Sequence, residues 1–166
     1  MTREVEFTEA EWELLTDLPR LAAFGAMAAD DGDAVNSTRE LWAGMKELAQ
    51  AARSRYPDNR LIREVAQAVA QDDEGAGVSR FGWKPGAMPL SHAVVEQALT
   101  TASDARRMLA KRVPADEAAE YEAWVLGIAR AATEAARTGF FGVVGEQVSD
   151  REAAFVRDLA AALGAS

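Results

Sequence analysis

Three segments of the chain start in the same way. Thr8-Glu9-Ala10-Glu11, Ser37-Thr38-Arg39-Glu40 and Ser149-Asp150-Arg151-Glu152 each place a hydroxyl residue three positions before a glutamate. This is the capping box, in which the hydroxyl accepts from the backbone N–H of the glutamate and the glutamate reaches back to the backbone N–H of the hydroxyl residue. Apolar residues follow each box, and behind the second and third they recur in steps of three and four. Trp12, Leu14 and Leu15 follow the first; Leu41, Met45, Leu48 and Ala52 the second, with Trp42 and Ala49 beside them; Phe155, Leu159 and Leu163 the third. That spacing puts an apolar stripe along one side of a helix. No segment alternates polar and apolar residues over the length of a strand, so the chain reads as all-α.

The remaining elements follow from the same signals. Pro19 is expected to break or kink the first helical segment, with Asp17 as the cap of a second one carrying Leu21, Phe24 and Ala28. Pro57 closes the helix behind Ser37, and Asp58 is placed to cap the next, whose stripe is Leu61, Val65, Ala68 and Val69. Ser91 opens a long helix with Val94, Val95, Ala98, Leu99, Ala102, Ala105, Met108 and Leu109. Pro114 separates it from another, about 115 to 138, with Trp124, Ile128, Ala132 and Ala135 on one face. Gly127 and the surrounding alanines are expected to admit a neighbouring helix at close range. Gly164 is suited to end the last helix. The count is about seven helices in one compact bundle.

At 166 residues the chain is long enough for one well-developed core. It reads as a single domain, with residues 72 to 91 as the candidate boundary between two imperfect helix-loop-helix halves. AMAADDGDAVNSTREL and RTGFFGVVGEQVSDRE echo each other across that boundary. When Ser37 and Ser149 are aligned, however, the bulky stripes behind them fall out of phase.

Gly145, Val148, Ser149 and Glu152, followed by the helix ending in Leu163-Gly164, resemble the loop-and-helix pattern of TerB-like domains, a bacterial family associated with tellurite resistance and stress. Ala29-Asp30-Asp31-Gly32 matches the start of the same pattern in the first half, while Val144 stands where the family has an aspartate. The resemblance implies a compact helical fold, acidic loops that bind metal, and a role in stress complexes.

Composition narrows the functional classes. The formal net charge is −9, so the average field repels nucleic acid. No apolar run approaches the length of a membrane span, and the N-terminus lacks the apolar core of a signal peptide. With no cysteine, disulfides and thiolate chemistry are absent, and the expected location is cytoplasmic. The excess of alanine, and of arginine over the lysines Lys46, Lys84 and Lys111, is what a GC-rich bacterial genome would produce.

Four sets of residues are candidates for chemistry or recognition. Asp30, Asp31 and Asp33, joined by Glu40, could supply oxygen ligands to a divalent cation. Their spacing does not fit an EF-hand, and the expectation is a solvated loop between helices. Phe81 and Trp83, in FGWKP, are suited to anchor a protein partner or to fold back as a lid. Arg53, Arg55, Arg60 and Arg63 form one basic cluster, and Arg106, Arg107, Lys111 and Arg112 another. Either could hold a phosphate or an acidic partner, but the expectation for both is that they complement helix ends. His92, just after a helix cap, is expected to be exposed, and nucleotide and nucleophile motifs are absent. The reading is a non-enzymatic protein that works through partner contacts or self-association as a dimer; a small-molecule or metal-binding domain is the alternative, and an enzyme with unassigned acid residues is the third reading.

The apolar loop at 140–144, with Phe140 and Phe141 between glycines, is expected to fold onto the core, because exposing each ring forgoes about 1.5–3 kcal/mol. Adjacent residues in a turn rarely point the same way. One of Phe140→Ala and Phe141→Ala should therefore cost about 3–5 kcal/mol in thermal or denaturant unfolding, and the other little.

Overall fold

The computed structural model describes residues 7–29, 48–71, 92–138 and 150–165, the side chains of 135–138 excepted. These residues form six helical segments and no strand. In chain order they are α1 (Glu9–Ala28), α2 (48–55), α3 (Arg60–Gln71), α4 (His92–Arg112), α5 (Ala115–Thr138) and α6 (Asp150–Leu163). No helix among the described residues is long and apolar enough to cross a membrane.

The all-α expectation holds, and among the described residues the segments number six, against an expectation of about seven. Pro19 does not divide the first segment: α1 runs through it as a single 20-residue helix. Asp17, expected at a cap, lies inside that helix. The reason the helix survives its proline is tertiary.

α1 is the centre of the bundle. Every residue from Leu14 to Ala26 is buried, polar ones included, so it presents no solvated face along this stretch. It packs most extensively against α4 and α5, and also meets α3 and α6. Its start is fixed as the sequence suggests. Thr8 Oγ1 accepts from the Glu11 N–H at 3.2 Å, and Glu11 Oε2 accepts from the Thr8 N–H at 2.9 Å. Phe7 and Trp12 stack across this cap, with ring centroids 6.5 Å apart, as a hydrophobic staple that sets the angle of chain entry. Arg112, at the end of α4, donates to both Glu11 carboxylate oxygens at 3.0 and 3.2 Å, tying the start of α1 to the end of α4.

The outer helices bury the stripes their spacing predicts, with local shifts. α3 buries Leu61, Ile62, Val65, Ala66 and Val69, while Ala68 is only partly covered. α4 buries Val94, Ala98, Ala102, Ala105 and Leu109, and α6 buries Phe155, Leu159 and Leu163. On α2 the assignment changes: Ala49 and Ala52 are buried, but Leu48 is exposed. α6 ends in a Schellman motif. The Gly164 N–H bonds the Ala161 carbonyl at 3.1 Å, and the Ala165 N–H bonds the Ala160 carbonyl at 3.0 Å, with Gly164 at φ +70°.

The glycine that admits close packing is Gly25 and not Gly127. A Cβ built on Gly25 would lie 2.6 Å from Phe155 Cζ and 3.3 Å from Ala98 Cβ, so α1 meets α4 and α6 here with no room for a methyl group. Gly127 is exposed, and a Cβ there meets nothing within 4 Å. The two positions should respond oppositely to the same change. Gly25→Ala should destabilise by about 1–3 kcal/mol through overpacking. Gly127→Ala should stabilise by up to about 1 kcal/mol through helix propensity. Thermal melts of the two variants beside the parent check both.

Candidate functional site

Proline has no N–H, so a proline inside a helix leaves the carbonyl four residues earlier without its regular donor. For Pro19 that carbonyl belongs to Leu15. The hydroxyl of Tyr121, from the second turn of α5, donates to it at 2.7 Å. Tyr121 is fully buried, and its ring meets Trp124 edge-on at 5.9 Å between centroids. One turn of α1 and one side chain of α5 thereby complete each other: the carbonyl gains a donor, and a phenol in the core gains an acceptor.

The charged residues of the sequence Asp17-Leu18-Pro19-Arg20 sit beside this joint. Arg20 Nη1 donates to Asp17 Oδ1 at 3.1 Å, with the two side chains 4% and 0% exposed. The spacing of three residues places both on one side of α1, so the pair forms across a single turn. Burial pulls the Arg20 guanidinium down from its ordinary value, and Asp17 opposes that shift. Burial also raises the Tyr121 hydroxyl well above its ordinary value, with the charges of Asp17 and Glu122 adding to the effect. Tyr121 is thus held as a neutral donor. One turn earlier, Thr16 Oγ1 donates back to the carbonyls of Trp12 and Glu13, each at 3.1 Å. A hydroxyl in the core of the central helix is in this way satisfied locally.

A second polar joint fastens α3 to α5. Asn59, not Asp58, caps α3: its Oδ1 accepts from the Ile62 N–H at 2.9 Å. Its Nδ2 donates to the Glu117 carbonyl at 3.0 Å and to Glu120 Oε2 at 2.8 Å. Glu117 returns the contact, with Oε1 accepting from the Leu61 N–H at 2.8 Å. A carboxylate of α5 therefore sits on the first-turn amides of α3, where the helix dipole favours negative charge.

Asp30, Asp31 and Asp33, with Glu40, lie outside the described residues, as do Phe81 and Trp83 and the loop bearing Phe140 and Phe141. Among the described residues there is no group of three or more histidine or acidic side chains placed to hold a metal ion. The arginine clusters disperse into separate partners. Arg60 Nε pairs with Glu64 at 2.9 Å, Arg63 donates to the Pro57 carbonyl at 2.9 Å, and Arg55 lies 5.7 Å from the Tyr56 ring centroid. On α4, Arg107 pairs with Asp104, and Arg112 with Glu11. Arg106 brings its guanidinium against Gly164 at the C-terminal end of α6, where a cation complements the dipole. It also lies near Glu122, whose carboxyl burial pushes up while Arg106 pulls it down. His92 is exposed and 3.5 Å from Glu96.

The residues that sequence reasoning missed are Asp17, Arg20, Asn59 and Tyr121. A signal for the first two was present: an aspartate and an arginine three apart, set within an otherwise apolar run. Pro19 itself announces a carbonyl that needs an outside donor, but nothing in the linear sequence says that Tyr121 supplies it.

No family model, no curated protein and no solved structure matches the chain.

A buried ion pair returns little net stability but is costly to break in half. Asp17→Ala should therefore destabilise by about 3–5 kcal/mol, whereas the double variant Asp17→Leu with Arg20→Met should recover most of that loss. Denaturant unfolding of the two variants beside the parent measures the difference.

Proposed function

We propose that this chain is a non-enzymatic helical protein that acts through protein contacts, self-association among them, in a stress-associated setting of the kind its TerB-like loop patterns imply. The observation that supports this reading best is the employment of the polar interior. Tyr121 serves the Leu15 carbonyl, Asp17 serves Arg20, and Asn59 and Glu117 serve the start of α3. These are the polar groups a buried reaction centre would draw on; here Tyr121, Asn59 and Glu117 join helices, and Asp17 and Arg20 pair within one turn of α1. The dispersal of the arginines into local pairs points the same way, since a phosphate site would need them to converge.

Two measurements separate this reading from a cation-binding or small-molecule domain. Sedimentation velocity over a range of protein concentration should give a mass above the 17.8 kDa of one chain, rising towards a dimer. Calcium or magnesium should leave the melting temperature of the parent unchanged, and Asp31→Asn should melt like the parent. A monomer at every concentration, with a cation-induced rise in melting temperature that Asp31→Asn removes, would overturn the proposal in favour of a metal-binding domain.

A further inference from the structure

No further inference is drawn: the strongest candidate, the exposed small-residue face of α5 at Ala119, Ala123 and Gly127, is interspersed with Asp116, Glu120 and Arg130, and nothing among the described residues shows what covers it.

Discussion

The hydrogen bond from the Tyr121 hydroxyl to the Leu15 carbonyl is the contact on which the rest of the bundle depends. A proline inside a helix costs about 3 kcal/mol when nothing compensates, because a backbone donor is lost and a carbonyl is left bare. In water that carbonyl would be solvated. In α1 it cannot be, because the helix is buried from Leu14 to Ala26. The donor has to come from a neighbouring helix, it has to be neutral, and it has to arrive at one height along α1. A tyrosine in the second turn of α5 meets all three conditions. The bond therefore does more than satisfy one acceptor: it fixes the axial register of α5 against α1.

Once that register is set, the other contacts are consistent with it. α5 carries Glu117 one turn before Tyr121 and Glu120 immediately before it, which places them at the start of α3 to meet Asn59 and the Leu61 amide. On another side of α1, Gly25 lets Phe155 of α6 and Ala98 of α4 close in without a gap. At the start of α1 the Thr8 capping box is extended outward by Arg112, so α4 is held at its end as well as along its face. The Glu11 carboxyl is correspondingly held below its ordinary value, first by the Thr8 backbone bond and then by Arg112. The buried Asp17–Arg20 pair lies beside the proline turn. Ion pairs of this kind contribute little net stability, but they penalise any packing that leaves one partner alone, and so disfavour rotations of α1 about its axis.

The parts of this fold that local chemistry decides were legible in the sequence. The Thr8 capping box, the Pro114 boundary, the Phe155–Leu159–Leu163 stripe and the Gly164 cap depend on residues within a few positions of one another, and each is where the spacing put it. The misplacements share a cause. Pro19 reads locally as a break, and only a residue more than a hundred positions away converts it into a tolerated interior position. Asp17 reads as a cap because aspartate usually is one, yet a paired charge can be buried when its partner is a turn away. Asp58 and Asn59 are neighbours of nearly equal capping preference, and the contacts of Asn59 with α5 decide between them. Gly127 reads as a packing site because glycine often is one, but which face of α5 turns inward is set by Tyr121 and Trp124. The candidate recognition residues, Asp30, Asp31, Asp33, Phe81 and Trp83, lie outside the described residues.

A double-mutant cycle measures the coupling between Pro19 and Tyr121 directly. In the parent, Tyr121→Phe leaves the Leu15 carbonyl buried without a donor and should cost about 1–3 kcal/mol by denaturant unfolding. Pro19→Ala restores a backbone N–H four residues after Leu15. In that background the carbonyl has its regular helical partner, and the same Tyr121→Phe change should cost distinctly less. The coupling energy should therefore be non-zero, on the order of 1 kcal/mol, with Pro19→Ala protecting against the loss of the hydroxyl. If Tyr121→Phe costs the same with proline or alanine at position 19, the hydroxyl is not compensating for the proline, and the central claim is wrong.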